Sequence, residues 1–99
     1  MGFGEIIYKD ALEFELNNYG IPYLREHKFQ IKYKKTTLKH YYTADFVIFG
    51  SIILETKSSP LIIPEFINQT IHYLKASGLK LGIIANFGGR SFTSKRIVM

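Results

Sequence analysis

Two stripes of apolar side chains recur at helical spacing along this chain and predict two helices. The first stripe predicts a helix over 5–19, with Gly20 as its stop signal. Its members are Tyr8, Leu12, Leu16 and Tyr19. The second stripe predicts a helix that begins near Pro64, a residue suited to a first helical turn, and ends at Gly78. Its members are Ile63, Ile67, Ile71 and Leu74.

Period-two alternation and short apolar runs predict the strands. Residues 28–34 (KFQIKYK) alternate lysine or glutamine with aromatic or aliphatic side chains, which predicts a half-exposed strand. Residues 44–57 (ADFVIFGSIILETK) predict a hairpin of two short strands around a tight turn. Residues 79–87 (LKLGIIANF) predict a buried strand, and 94–98 predict a last edge strand.

The order of these elements indicates the fold class. A helix, three strands, a helix and one or two strands (αβββαβ) indicate an α/β sandwich with a mixed sheet of four to five strands flanked by helices. The chain has 99 residues and shows no linker, repeat or low-complexity segment. We therefore expect a single domain over 1–99.

Composition narrows the function classes. Apolar residues make up 46% of the chain and charged residues 21%, which is typical of a soluble globular protein. The chain has no Cys, which excludes disulfides, thiolate metal sites and a thiol nucleophile, and which fits a reducing, cytoplasmic setting. No apolar run approaches membrane-spanning length, so we expect no membrane partner.

The charge balance favours polyanionic partners, because the formal net charge is +5. Five lysines crowd one segment, with tyrosines among them. These lysines are Lys28, Lys32, Lys34, Lys35 and Lys39. They could contact the phosphates of a nucleic acid, or they could protect a strand edge from aggregation. The sequence supports the two interpretations equally.

The predicted hairpin has a carboxylate at each open end, Asp45 and Glu55. A three-residue loop places Asp45 directly opposite Glu55, whereas a two-residue loop pairs it with Thr56. In the first register the two carboxylates converge and need a cation or a proton between them. Mg²⁺ or Mn²⁺ suits such oxygen ligands. Lys57 would then hold or activate a water, or neutralise charge in the transition state.

The same charges also suit a surface ion pair, and their spacing alone favours that simpler interpretation. Two further elements favour a functional site. Glu5 opens the first apolar stripe, where its carboxylate could reach the same cation or simply suit the first turn of a helix. Gln69 and Tyr73, four residues apart on the second helix, could orient a carboxylate, a water or a phosphate, or could be ordinary boundary residues.

Several short motifs occur together in this chain in a fixed order. Residues 2–8 (GFGEIIY) contain G-x-x-E-x-x-Y, Asp45 stands alone, residues 55–57 (ETK) give E-x-K, and residues 69–73 (QTIHY) give Q-x-x-x-Y. With these motifs the chain resembles the GxxExxY proteins, small members of the PD-(D/E)XK nuclease superfamily. The C-terminal stretches YLKASGLKLG, NFG and KRIV also resemble this family, so the similarity covers nearly the whole chain.

The resemblance implies a restriction-endonuclease-like fold and a metal-dependent nuclease that hydrolyses phosphodiester bonds, with DNA preferred to RNA as its substrate. It implies a Mg²⁺ or Mn²⁺ site formed by Asp45, Glu55 and the main-chain carbonyl of Thr56. The predicted catalytic residues are Lys57, Glu55, Asp45 and Glu5. The residues expected to support the site or to orient phosphate are Gln69, Tyr73 and Tyr8.

Two alternatives use the same fold without catalysis. A catalytically silent nucleic-acid-binding module would bind nucleic acid without cleaving it. A protein-interaction or oligomerisation module would bind no nucleic acid even at low salt, where electrostatic contacts are strongest. The edge predicted at 92–98 is compatible with a homodimer.

Overall fold

The computed structural model of the protein describes residues 4–99 and contains two helices and one five-stranded sheet. The helices are α1 (Glu5–Asn18) and α2 (Pro64–Ser77). The strands are β1 (Tyr23–Tyr33), β2 (Thr36–Ile48), β3 (Ile52–Lys57), β4 (Leu81–Asn86) and β5 (Thr93–Val98). No helix within the described residues is long and apolar enough to cross a bilayer.

The strands lie in the sheet in sequence order, β1-β2-β3-β4-β5. Strands β1, β2 and β3 form an antiparallel meander, β3 and β4 are parallel, and β4 and β5 are antiparallel. Helix α2 connects the two parallel strands, as a parallel pair requires. The predicted mixed α/β sheet is therefore confirmed, with five strands in the order αβββαββ.

The helix ends follow from residues that favour them. Pro64 occupies the first turn of α2, where no N–H is needed. Gly78 caps the C-terminus of α2 with a φ of 76°, a left-handed conformation in which a side chain would be strained, and its N–H donates to the Leu74 carbonyl. Both helices lie where the apolar stripes predict them.

The first two strands are longer than the sequence predicts. Strand β1 begins at Tyr23 rather than near residue 28, and β2 begins at Thr36 rather than near residue 44. Residues 36–41 are exposed throughout, so no buried face appears in their sequence pattern. The two strands pair with one another and form a long hairpin, here called the β1–β2 arm (residues 28–43). Phe29 and Tyr42 at its base pack against the core.

Two apolar clusters cover the two faces of the sheet. One lies against α2, with Val47, Ile53 and Ile84 as sheet residues and Leu74 from the helix. The other lies against α1 and consists of Leu16, Phe46 and Ile48, with partly buried neighbours. The sheet is therefore packed between the helices, and strand β5, which has only Ile97 buried, forms one edge.

Candidate active site

The hairpin between β2 and β3 has the register that a site of two carboxylates requires. Ile48 pairs with Ile52 across a three-residue loop, and the pairing continues to Phe46 opposite Leu54. One further step brings Asp45 to the level of Glu55. The loop keeps this register because Phe49 and Gly50 both adopt positive φ, 54° and 66°.

At this level side-chain hydrogen bonds join the two strands. The Asp45 N–H donates to Glu55 Oε2 at 2.7 Å. The Thr56 N–H and hydroxyl both donate to Asp45 Oδ2, at 2.8 and 3.0 Å. Each carboxylate is therefore held by the opposite strand, which fixes both side chains at the end of the β2–β3 pairing.

The two carboxylates lie in a setting that disfavours two negative charges. Glu55 is only 2% exposed, and its pKa is raised to about 8, first by burial and then by the charge of Asp45. Burial and the charges of Glu55 and Asp45 also raise the pKa of Tyr73 to about 12. No ion pair within residues 4–99 includes Glu55. A cation bound here would relieve this unfavourable charge.

A buried lysine contacts Asp45 from the other face of the sheet. Lys9 of α1 is 8% exposed, and its Nζ lies 3.2 Å from Asp45 Oδ1 and also forms an ion pair with Glu26. The apolar stripe of α1 includes this position, since Lys9 lies three residues before Leu12 and seven before Leu16. Sequence reasoning overlooked it; a charged residue on the buried stripe was the available signal.

Strand geometry changes at Asp45 in a way that explains this contact. Ala44 belongs to the cluster on the α2 side, yet Phe46, two residues later, belongs to the cluster on the α1 side. Regular alternation would place both on one face, so it is interrupted at Asp45. Glu26, at the same level of β1, has a positive φ of 54°. At this irregularity the carboxylates of Asp45 and Glu26 both contact the Lys9 ammonium group.

Lys57 and Gln69 are brought together by a direct hydrogen bond, a contact that the sequence did not predict. The Lys57 Nζ donates to Gln69 Oε1 at 3.0 Å and lies 4.7 Å from the centre of the Phe66 ring. Helix α2 therefore orients the ammonium group by one hydrogen bond and one cation–π contact. Tyr73, one turn further along α2 than Gln69, is buried.

The backbone around Lys57 is fixed by two contacts that the sequence did not reveal. Tyr8 stacks on Phe87 with ring centroids 4.8 Å apart, and the Phe87 N–H donates to the Lys57 carbonyl at 2.8 Å. Asn86, fully buried, accepts from the Ser59 N–H at 3.0 Å and donates to its carbonyl at 2.8 Å. The backbone at Lys57 and at Ser59 is therefore held by the last residue of β4 and the residue that follows it.

Glu5 is not brought to the carboxylate pair. It is exposed in the first turn of α1, one turn before Lys9. Within residues 4–99 no three or more His, Cys, Asp or Glu side chains form a group that could hold a metal ion. The role of Glu5 as an auxiliary ligand stays a prediction, and residues 1–3, which include the first glycine of the G-x-x-E-x-x-Y motif, lie outside the described part of the chain.

The five lysines predicted to contact nucleic acid are all exposed on the β1–β2 arm or its turn. Lys28 pairs with Thr43, two residues from Asp45, and its Nζ lies 4.7 Å from the centre of the Tyr41 ring. Lys34 and Lys35 form the turn at the far end of the arm. The basic segment therefore runs from the level of the carboxylates to the tip of the hairpin.

The donor set fits a hard divalent cation. Asp45 and Glu55 offer carboxylate oxygens that hydrogen bonds across the hairpin hold in place, and Glu55 is a buried acid in no ion pair among the described residues. Oxygen ligands of this kind suit Mg²⁺ or Mn²⁺.

Comparison with known proteins shows which family and which solved structures the chain is similar to. A model of the PD-(D/E)XK nuclease superfamily matches residues 1–97. The solved structure of SSO0001 superposes with a TM-score of 0.73 at 22% identity, covering 93% of this chain and 49% of that one. The alkaline exonuclease LHK-Exo from Laribacter hongkongensis superposes with a TM-score of 0.69 at 14% identity, covering 96% and 56%. No curated protein matches the chain.

These structural matches show a shared fold. The chain spans about half the length of the two solved structures that it matches.

Proposed function

The chain belongs to the PD-(D/E)XK nuclease superfamily, and from that premise we propose that it is a divalent-metal-dependent nuclease that hydrolyses phosphodiester bonds of DNA. Nucleases of this superfamily generally use divalent metal ions. The observation that supports the proposal best is the interlocked pair Asp45 and Glu55, with Lys57 two residues further along the same strand.

The proposed roles follow from the contacts. Asp45, Glu55 and the Thr56 carbonyl would hold Mg²⁺ or Mn²⁺. Such an ion, when bound, lowers the pKa of a water and stabilises charge on a phosphoryl oxygen. Lys57, held by Gln69 at 3.0 Å, would position the attacking water or neutralise developing charge.

Other residues would bind the substrate or stabilise the strand that carries the site. The exposed lysines of the β1–β2 arm would bind the phosphate backbone without reading sequence. Tyr8 would stabilise the strand end that positions Lys57, because it stacks on Phe87. The membership of the chain in the GxxExxY group, its cytoplasmic location and a homodimer formed through β5 stay predictions.

Cleavage assays test this function directly. Plasmid, linear duplex, single-stranded DNA and RNA are incubated with Mg²⁺ or Mn²⁺, and parallel samples contain EDTA. We expect cleavage of DNA that EDTA abolishes and that Lys57→Ala reduces by about 100-fold or more, the scale of losing a group that assists proton transfer. Lys75→Ala removes an exposed lysine from α2 and is the matched control.

A catalytically silent binding module is the second candidate, and one observation favours it. The Lys9 ammonium lies against Asp45, where it supplies positive charge to that carboxylate without any metal ion. Under this alternative the wild-type protein binds DNA but cleaves none with either metal, and Lys57→Ala leaves DNA binding nearly unchanged. An absence of nucleic-acid binding even at low salt would contradict both candidates and favour a protein-interaction module.

A further inference from the structure

A depression of about 310 Å³ adjoins the candidate active site on the α2 side of the sheet. Its lining residues are Tyr42, Glu65, Asn68, Gln69, His72 and Tyr73. Gln69 is also the hydrogen-bond acceptor of Lys57, and the pKa of Tyr73 is raised by the charges of Glu55 and Asp45 after the effect of burial. The depression and the active site therefore share a wall.

A larger depression, of about 510 Å³, lies at the connection between α1 and β1. Its lining contains no carboxylate, amine or imidazole, and none of its residues belongs to the active site. The smaller depression is thus the one whose position and chemistry bear on a substrate.

The polar groups of the smaller depression suit an uncharged ligand that both donates and accepts hydrogen bonds. Asn68 offers an amide donor and an amide acceptor, Gln69 offers its amide N–H groups because its oxygen accepts from Lys57, and Glu65 offers a carboxylate acceptor. The lining includes no Lys or Arg, so a phosphate group would meet a carboxylate there without a balancing cation. The groups that a nucleobase presents on its pairing edge match this mixture.

Flat aromatic surfaces form the rest of the depression. The rings of Tyr42 and His72 are within 15° of parallel, with centroids 6.4 Å apart, and the Tyr73 ring lies 5.1 Å from that of Tyr42. Tyr42 belongs to β2 and His72 to α2, so the surface joins the sheet to the helix that orients Lys57. Aromatic rings are the usual platforms on which unpaired bases stack.

We infer that this depression is a subsite for one unpaired nucleobase, next to the phosphate that is cleaved. The inference rests on the proposed nuclease function and deepens it, since it names the substrate class. A base inside a duplex has its pairing edge occupied and its faces stacked, so it can enter only after it unpairs and unstacks, which costs free energy. The preferred substrate is therefore single-stranded DNA or a strand end that has come apart from its partner.

The test measures binding of a labelled single strand and of the matching duplex by fluorescence anisotropy in EDTA, which prevents cleavage. We expect wild-type protein to bind the single strand more tightly than the duplex. His72→Ala should weaken single-strand binding by about fivefold or more, the lower end of the effect of losing one base–aromatic stack. Asn68→Ala should also weaken it, by roughly two- to tenfold, the scale of losing one hydrogen bond. Both residues are exposed, so these variants should fold.

Matched variants test whether binding depends on a flat ring at position 72 and whether the effect is confined to the depression. His72→Phe keeps a flat ring and should retain most of the single-strand affinity. Asn18→Ala removes an exposed asparagine at the end of α1 and should have no effect. A 2-aminopurine base near the cleavage position reports stacking directly, because its fluorescence falls when it stacks and should recover with His72→Ala.

The outcomes distinguish this inference from the function on which it rests. Equal affinity of wild type for single strand and duplex, unchanged by His72→Ala and Asn68→Ala, would overturn the subsite while DNA cleavage in Mg²⁺ or Mn²⁺ still supported a nuclease. A wild-type protein that neither binds nor cleaves nucleic acid would overturn both. Loss of single-strand affinity only in the two pocket variants supports the subsite.

Discussion

The main-chain N–H of Asp45 donates a 2.7 Å hydrogen bond to Glu55 Oε2, so the backbone of one acidic residue positions the carboxylate of the other. This bond favours the ionised form of Glu55, but burial and the charge of Asp45 outweigh it and raise the pKa of Glu55 to about 8. Near neutral pH, and without a bound cation, the Glu55 carboxyl group is mostly protonated.

Glu55→Gln should therefore change how stability depends on pH. In the unfolded chain Glu55 ionises near pH 4.5, whereas in the folded protein it keeps its proton up to about pH 8. The folded state thus binds an extra proton at Glu55 between these values, so the contribution of Glu55 to wild-type stability falls as pH rises from 4.5 to 8. Glutamine stays neutral and accepts the same hydrogen bond, so this variant should lack that loss.

Urea unfolding at pH 5, 7 and 9 measures the effect. We expect the free energy of unfolding of Glu55→Gln to rise relative to wild type by a few kcal/mol between pH 5 and 9. Glu15→Gln, which removes an exposed carboxylate from α1, is the matched control. Parallel pH profiles for wild type and Glu55→Gln would show that Glu55 ionises normally in the folded protein.

Binding of Mn²⁺ should release a proton. Because Glu55 must ionise to become a ligand, Mn²⁺ binding at pH 7 should release close to one proton, and at pH 9 much less. Calorimetric titration in two buffers with different ionisation enthalpies counts the protons. Asp45→Asn can still accept from Thr56 but lacks the charge, and it should abolish this binding. Equal heats for wild type and Asp45→Asn would exclude a preformed site, and adding DNA would then test whether the substrate completes it.

Lys9→Met should destabilise the protein and strengthen Mn²⁺ binding. The substitution leaves the carboxylates of Asp45 and Glu26 facing each other without the ammonium between them. The expected loss is roughly 2 kcal/mol, less than for a fully buried pair because the Glu26 side chain is 47% exposed. Removing a positive charge beside Asp45 should at the same time favour a divalent cation.

A double substitution separates charge from packing at Lys9. Adding Glu26→Gln to Lys9→Met removes one of the two unpaired carboxylates and should restore part of the stability. Thermal unfolding and Mn²⁺ titration of the single and double variants complete the cycle. If Lys9→Met weakens Mn²⁺ binding, Lys9 acts mainly by orienting Asp45 rather than by competing with a cation.

The parts of this site that were predictable from sequence depend on local patterns. Alternation within one hairpin predicts that Glu55 and Lys57 share a face and that a three-residue loop would place Asp45 opposite Glu55, but it leaves the loop length open between two and three residues. Gln69 and Tyr73 share a face of α2 because they are four residues apart, but the contact between Lys57 and Gln69 was not predicted. Each of the predicted placements can be inferred from the side-chain periodicity of one helix or one hairpin.

The unpredicted parts depend on how distant elements pack. Lys9 reaches Asp45 only because α1 lies against the α1-side face of the sheet, and no pattern within α1 identifies its partner. The positive φ of Glu26 reflects the irregular strands at this level, which sequence alternation does not show. The full length of β2 was missed because residues 36–41 are exposed throughout and therefore show no pattern of buried positions.

The lysines at the tip of the β1–β2 arm should determine how DNA binding depends on salt. Replacing Lys32, Lys34 and Lys35 with glutamine removes exposed charges that lie far along the arm. If each contacts one phosphate, the slope of log K against log salt should fall by about 0.7–0.9 per lysine. Anisotropy titrations from low to moderate salt give this slope, and cleavage at saturating DNA should be nearly unchanged.

A second triple variant makes the result specific to the arm. Lys75, Lys80 and Lys95 are exposed lysines outside the arm, and their replacement with glutamine removes the same total charge. Equal slopes for the two triple variants would mean that only the overall charge of the protein attracts DNA. An unchanged slope together with aggregation of the arm variant would instead mean that these lysines protect the hairpin edge. A slope reduced in the arm variant alone would identify the β1–β2 arm as the element that binds the phosphate backbone.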